Sequence, residues 1–316
     1  PGGEYEIPEG STLTIGKPAT VPIEIVLCAN CTLVQQRHTA PQDFLYTRFY
    51  WYRSSVTQTM RDALRDVTAA AERLVDLQPG DVALDIGSND GTLLRSYTAP
   101  GIVRVGVEPA TNLAEEGSRG IDCFVGEFWG SQRCWNVITE WEAKTGRSIH
   151  KAKVVSAIGM FYDLEDPNPF VADVAKVLAP DGMFIAQLMC LKNMLAVGDV
   201  GNLCHEHLEL YSLRSLYHLF GKHGLEVFDI ETNAVNGESY RLFIRHATGR
   251  RYFTTPAMDR MSAAENAEDD YARPEFYRDW FAKQEANRDR CVAFIRREVA
   301  AGKRVWVYGA STKGNV

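Results

Sequence analysis

The stretch Asp81-Val-Ala-Leu-Asp-Ile-Gly-Ser-Asn-Asp-Gly-Thr-Leu-Leu-Arg95 constrains this chain more than any other. An apolar run, Val82 to Ile86, meets a turn bounded by Gly87 and Gly91, and a helical pattern starts at Thr92. Short apolar run, glycine turn and helix make the opening βα unit of a doubly wound sheet. A glycine leaves backbone that a ligand can approach, because no Cβ stands in the way. The helix start beyond offers free N–H groups.

The spacing excludes one ligand class and suits another. Gly87 and Gly91 stand four apart, which is not the G-x-G-x-x-G of a dinucleotide site. Asp90 in the turn would also repel a pyrophosphate cradled at the helix start. A nicotinamide dehydrogenase is therefore disfavoured. S-adenosylmethionine has no phosphate and carries a cationic sulfonium, so acidic turn residues are tolerable, and the strand-ending Asp85 suits it. A second strand, Ile102 to Val107, ends in Glu108, a little over twenty residues beyond Asp85. A carboxylate there can accept both ribose hydroxyls of an adenosine. The cofactor candidates are Asp85, Gly87, Ser88, Asn89, Gly91, Glu108 and Pro109. Phe128, after a third strand at Ile121 to Val125, is either an adenine-stacking ring or an ordinary core residue.

The formal charge of −7 argues against a nucleic-acid surface as the main partner. No window reaches ~18 uninterrupted apolar residues, so no membrane span is expected, and no basic-then-apolar leader opens the chain. Seven scattered cysteines point to a reducing compartment, with cytoplasm the default. Pro1 at the start, and Val316 directly after a strand and turn, read as the edges of a fragment.

Five segments follow. Residues 1–48 carry β-type runs leading into Cys28-Ala-Asn-Cys31, half of a tetrahedral zinc site. No second pair follows at ribbon spacing, so free thiols and structural zinc both remain open. Residues 49–80 hold an aromatic cluster, Phe49 to Tyr52, and a helix from Ser55 to Leu77 with Val56, Met60, Leu64, Val67 and Leu74 at helical spacing. The cluster is either core or a lid. Residues 81–248 form the cofactor domain, with further strands at Lys153–Ile158 and Met183–Leu188. A helix at Val171–Leu178 is ended by a turn at Pro180-Asp-Gly182. The loop Phe161–Pro167 falls at the sheet edge where open α/β sheets bind ligands. Residues 249–304 read as a helical connector. Residues 305–316 open a second strand–turn–helix unit, whose Ser311, Thr312 and Lys313 suit a phosphate.

The densest polar run is Cys204-His-Glu-His-Leu-Glu-Leu-Tyr211. Two histidines at i, i+2 do not match a known zinc arrangement. A polar helix start with satisfied histidines is the plain alternative. We favour a general acid–base pair, because a histidine near its ordinary pKa of ~6.5 beside a carboxylate can move a proton at neutral pH. Asn236-Gly between β-type runs marks a hairpin, from which Tyr240 and Arg241 can face a substrate.

In order, Cys28–Gln35, Tyr52–Val56, Leu84–Gly91, Val107–Pro109, His205–His207 with Tyr211 and Ser212, Asn236–Arg241 and Tyr308–Lys313 resemble the sugar C-methyltransferase family. That family acts on nucleotide-linked deoxysugars. The resemblance implies a zinc-ribbon-like N-terminal lobe held by Cys28 and Cys31, a Rossmann-like S-adenosylmethionine domain, and a second Rossmann-like domain gripping the substrate nucleotide. It further implies His207 as catalytic base beside Glu206, with Tyr50 or Tyr52 near the sugar. A monomer or homodimer is expected. Candidate substrate contacts are His205, Tyr211, Asn236, Tyr240, Arg241 and Lys313. The first zinc cysteine pair is absent, and the sequence stops after the first turn of the last domain.

Chemistry completes the expectation. Carbon is nucleophilic as an enolate, so a 4-keto sugar whose C3 proton is acidified by the carbonyl is the expected acceptor. His207 removes the proton, and Tyr52 or Tyr240 steadies the enolate oxygen. The alternatives are an O- or N-methyltransferase sharing the same cofactor residues, and a non-catalytic module that binds a sugar nucleotide or a partner protein.

Overall fold

The computed structural model describes residues 21–306 apart from 48–49, 236–238, 250 and 267–268. Asn236, Lys313 and residues 307–316 of the unit expected at 305–316 lie outside the described residues, as does Phe49. The elements run β1 (Ile25–Leu27), β2 (Val34–Gln36), α1 (Gln58–Leu74), β3 (Val82–Ile86), α2 (Thr92–Arg95), β4 (Val103–Val107), α3 (Ala114–Gly117) and β5 (Cys123–Val125). They continue with α4 (Gln132–Thr145), β6 (Ala152–Ile158), α5 (Pro167–Val177), β7 (Leu178–Met189), α6 (Leu191–Val197) and β8 (Glu209–Leu210). The last are α7 (Leu213–Lys222), β9 (Leu225–Asn233), β10 (Ser239–His246), α8 (Pro256–Asn266) and α9 (Pro274–Ala300).

A seven-stranded sheet has the order β5-β4-β3-β6-β7-β10-β9. The strands from β5 to β7 are parallel, and β10 runs antiparallel to both neighbours. The chain leaves β3 for β4 on one side and later returns to β6 on the other, so the strand order reverses at β3. A crevice opens there at the carboxyl ends of the strands.

Strand parity decides which side chains reach which layer. On β3, Val82, Leu84 and Ile86 join one core with Val105, Val107, Phe161 and Phe184. Ala83 joins the other, with Leu64, Val67, Leu93 and Val154. Side chains alternate across a strand, so Asp85 stands on the Ala83 side, under α1. Helix α1 presents Leu64, Val67, Ala70 and Ala71 to that face, and Thr57 caps it by accepting the Met60 N–H at 3.3 Å.

Two local expectations need correction. The helix before β7 ends at Val177, and the strand begins at once. The register with β6 jumps from Ala152↔Leu178 to Val154↔Met183, so Pro180, Asp181 and Gly182 form a bulge within the strand. The turn chemistry is real but is absorbed by the ladder. The N-terminal segment is also joined to the central domain: β1, β2 and β8 make a three-stranded antiparallel sheet. Part of the polar run at 204–211 is therefore a strand. Among the described residues no helix is long and apolar enough to cross a membrane.

Candidate active site

A cleft of about 380 Å³ lies at the carboxyl ends of β3, β4 and β6, near the lower end of the range for small-molecule sites. Gly87, Asn89, Glu108, Pro109 and Phe128 line it, as do Tyr50 and Tyr52 from the segment before α1.

Glu108 is the central acid. Its Oε2 accepts the Asn89 N–H at 2.9 Å and its Oε1 accepts the Ala110 N–H at 2.9 Å. Each carboxylate oxygen offers two lone pairs, so one on each remains for a ligand facing the cleft. Burial raises the Glu108 pKa above the ordinary carboxylate value, offset in part by those two N–H groups. Asp85 differs. It is buried away from the cleft and accepts the Ser156 hydroxyl at 2.6 Å. Burial pushes its pKa up to about 7. Asp85, expected to meet the cofactor, is not among the residues that line the cleft.

The turn itself is built differently from expectation. Asp90 accepts the Thr92 N–H at 3.1 Å and the Thr92 hydroxyl at 2.6 Å, so it caps α2 rather than facing a sulfonium. Gly91 has φ +77°, and a Cβ there would stand 2.9 Å from the Gly117 carbonyl oxygen; its small size serves chain packing. Ser88 is buried against Gly106. Neither Gly91 nor Ser88 reaches the cleft wall.

A strap crosses the cleft between residues 50 and 55. Tyr50 N–H donates to Asn112 Oδ1 at 2.9 Å, and Asn112 Nδ2 donates back to the Tyr50 carbonyl at 3.0 Å. Asn89, at φ +51°, accepts the Ser54 N–H at 3.0 Å and donates to the Tyr52 carbonyl at 3.1 Å. Asp90 accepts the Ser55 N–H at 2.8 Å. Tyr46 joins Tyr50 with ring centroids 5.7 Å apart. Burial, then the Asp163 and Glu206 charges, raise the pKa of both phenols, which stay protonated donors. Of the described residues of the aromatic cluster, Tyr50 and Tyr52 line the cleft and Trp51 is 79% exposed.

The run at 204–211 faces mostly inward. His207 is buried, its Nδ1 lies 3.0 Å from the Asn202 carbonyl, and Tyr162 meets its ring edge-on at 4.8 Å. The Tyr162 that it meets adjoins Asp163, which lines the cleft. Glu206 comes nearest: the Tyr46 hydroxyl donates to its backbone carbonyl at 3.5 Å. His205 Nε2 bonds the Val21 carbonyl at 2.6 Å. The Tyr211 hydroxyl donates to the Glu209 carboxyl, and its ring packs on Phe161 at 5.4 Å. Tyr211 is therefore core, not a substrate contact.

The hairpin residues are corrected too. Tyr240 is buried and donates to Glu265 Oε1 at 3.1 Å. Arg241 is buried on the opposite face, bonded to Gln187 at 3.1 Å, Asp66 at 2.8 Å and Glu231 at 3.0 Å. Neighbours on a strand point to opposite faces, so the two could never have faced one substrate together.

A family model described as a methyltransferase domain matches residues 56–230, and one described as a C-methyltransferase C-terminal domain matches residues 234–316. The C-methyltransferase NovU of Streptomyces niveus is 30% identical over 305 residues, which span 95% of this chain and 69% of that protein. The chain belongs to the S-adenosylmethionine-dependent C-methyltransferase family. Solved structures are more distant. The cyclopropane synthase MmaA2 of Mycobacterium tuberculosis is 14% identical, covering 63% of this chain and 89% of that one at a TM-score of 0.43. The magnesium protoporphyrin IX methyltransferase ChlM of Synechocystis PCC 6803 is 12% identical, covering 59% and 77% at 0.40.

The methyltransferase cleft fits its cofactor by chemistry. Glu108 could accept ribose hydroxyls besides its two N–H donors, Phe128 lines the same cleft, and the wall is acidic, which suits a sulfonium and an ammonium. Sequence reasoning missed Gln42, Tyr46, Asp163, Glu165 and Asp166, all on the wall. The last three sit on the loop expected at the ligand edge, so their position was readable. Gln42 and Tyr46 gave no signal, since only the folded chain brings them across.

Cys28 and Cys31 form the expected knuckle as two free thiols. Thr32 N–H donates to the Cys28 carbonyl at 3.0 Å, with Thr32 at φ +62°. Backbone N–H groups of Cys31 and Asn30 hold the Cys28 thiol below its ordinary pKa, while burial pushes Cys31 up. Two thiols fit half of a tetrahedral set. Among the described residues no group of three or more potential metal ligands occurs.

Proposed function

We propose that this methyltransferase alkylates carbon on a nucleotide-linked 4-keto deoxysugar, through an enolate generated by His207. One observation carries the reading. The Asn202 carbonyl can only accept, so the His207 Nδ1 that faces it at 3.0 Å bears the ring proton, and Nε2 is the basic nitrogen of that tautomer. That is the tautomer a general base needs.

S-adenosylmethionine, when bound, supplies an electrophilic methyl group on sulfur. His207 Nε2 takes the C3 proton of the acceptor, and Glu206 beside it favours the imidazolium that results. Tyr50, a donor at all working pH values, offers its proton to the enolate oxygen; this replaces Tyr240, whose hydroxyl is committed to Glu265. The strap excludes water and aligns the reactants. The name of the Streptomyces relative supports transfer to carbon. The sugar nucleotide follows from the ordered motifs.

The test is proton washout. A 4-keto-6-deoxy nucleotide sugar is held in D2O with the protein and S-adenosylhomocysteine, and loss of the C3 proton is followed by NMR. Wild type is expected to exchange it and His207→Ala to stop. Equal washout by both proteins would remove His207 as the base. A product methyl bonded to oxygen or nitrogen would instead establish the heteroatom reaction.

A further inference from the structure

The strap touches the rest of the fold chiefly through backbone groups, and the side chains that hold them come from the two loops that build the cleft. Among these, Asn112 has a distinctive geometry. Its amide closes a two-bond ring with the peptide groups of Tyr50, at 2.9 and 3.0 Å, as a neighbouring strand would. An asparagine amide carries one acceptor and two donors, so it can serve N–H and C=O of one residue at once.

Asn112 is itself fixed to the cofactor acid. It lies in the turn Thr111–Leu113, closed by Leu113 N–H on the Ala110 carbonyl at 3.0 Å. The Ala110 N–H is held by Glu108 Oε1 at 2.9 Å. Thr111 adds a bond to the Thr47 carbonyl at 3.0 Å, and Arg53 pairs with Glu116 at 3.1 Å. A continuous path thus runs from the carboxylate of Glu108 through one turn to the backbone of Tyr50. The Glu108 charge also contributes to the raised pKa of the Tyr50 phenol, which puts both ends of the path at the cleft.

We infer that Asn112 is a positioning residue, which sets the Tyr50 ring over the cleft and couples strap closure to occupancy of the Glu108 site. The inference rests on the cleft being the site of methyl transfer. Asn112 touches neither cofactor nor acceptor in this account and acts through Tyr50.

The test compares wild type, Asn112→Ala, Asn112→Asp, Tyr50→Ala and the Asn112→Ala/Tyr50→Ala double variant. In unliganded protein, amide hydrogen exchange across residues 50–55 is expected to accelerate in Asn112→Ala with the melting temperature unchanged. Unaltered exchange would overturn the inference whether or not any ligand binds. With S-adenosylhomocysteine in a calorimeter, Asn112→Ala is expected to bind about tenfold more weakly, the scale of one to two neutral hydrogen bonds. Asn112→Asp, which keeps the acceptor and loses the donor, should fall between. In the Tyr50→Ala background the same substitution should cost almost nothing, because coupled residues are not additive. Equal losses in both backgrounds would show that Asn112 supports the loop and not Tyr50. Absence of binding by wild type would count against the cleft assignment instead, leaving the exchange result to decide on Asn112.

Discussion

The loops after β3 and β4 and the run from Cys204 to Tyr211 both carry many polar side chains, yet they face different things. From the loops, Gly87, Asn89, Glu108 and Pro109 reach the cleft, and Asn89, Asp90 and Asn112 hold the strap across it. From the run, His205, His207 and Tyr211 each satisfy a group of the protein itself. The carrier explains the difference. Loops at strand ends leave their groups open to a crevice, whereas Glu209 and Leu210 pair with β2, and pairing commits alternate side chains to packed layers. A polar side chain on a paired strand is therefore committed to the fold, whereas His207, ahead of β8, keeps the role proposed for it.

The sharpest way to break this comparison uses its two strand-end carboxylates. Glu108→Ala removes a charged acceptor for two hydroxyls, worth about 1.5–3 kcal/mol each. It is expected to weaken S-adenosylhomocysteine binding at least about 100-fold. Asp85→Asn should leave binding nearly intact, since its carboxyl serves Ser156. Calorimetric titration reads both, and a comparable loss in Asp85→Asn would put that residue back in the cofactor site.

Stability against pH separates the two regions again. Burial raises Asp85 from 3.8 to about 7 on the cofactor side, and Glu209 from 4.5 to about 9 in the polar run. Each folded pKa lies above the unfolded one, so between the two values the folded state binds the extra proton and stability falls as pH rises. The Asp85 window closes near pH 7 and the Glu209 window near pH 9. Asp85→Asn should stabilise the protein above pH 7 by a few kcal/mol, since one unit is about 1.4 kcal/mol. Glu209→Gln alone should flatten the slope from pH 7.5 to 9. Urea unfolding at three pH values tests this, and a slope there that survives Glu209→Gln would contradict it.

What could be read in advance follows the same division. The turn after β3 was legible because its signals are local: an apolar run, two glycines, and an acid at the end of the next strand. Parity was legible as well, for Asp85 and Ile86 must point oppositely, as must Tyr240 and Arg241. The pairing of β2 with β8 was not. It joins Val34 to Leu210 across the whole cofactor domain, and Gln36 Nε2 seals it on the His207 carbonyl at 2.8 Å. Nothing in either short strand names its partner. The same distance hid Tyr46, which lines the cleft although it stands some forty residues before the glycine turn.

Arg241 offers a smaller effect on the packed side. It has only 3% of its side chain exposed, while its partners Asp66 and Glu231 remain 69% and 39% exposed. Its loss therefore strands no fully buried carboxylate, and the cost of about 3–5 kcal/mol for breaking a buried pair falls to roughly 2 kcal/mol. Arg241→Met should lower the unfolding midpoint and leave cofactor affinity alone. A selective loss of acceptor binding in a protein of unchanged stability would restore it as a substrate contact.

The smallest effect sets two tyrosines against each other. Tyr240 donates to Glu265 Oε1, and Glu265 also accepts the Arg214 N–H at 3.2 Å, tying α8 and α7 to β10. Tyr240→Phe leaves that buried carboxyl one bond short and should cost about 1 kcal/mol of stability, with methyl transfer unchanged. Tyr50→Phe keeps the ring and both bonds to Asn112, which engage backbone only. Its stability should hold while transfer slows, because in the proposed reaction the lost proton is the one offered to the enolate oxygen. Unfolding curves and single-turnover rates on the two variants separate the effects. If Tyr240→Phe slows transfer and Tyr50→Phe does not, the oxyanion is met from the hairpin rather than from the strap.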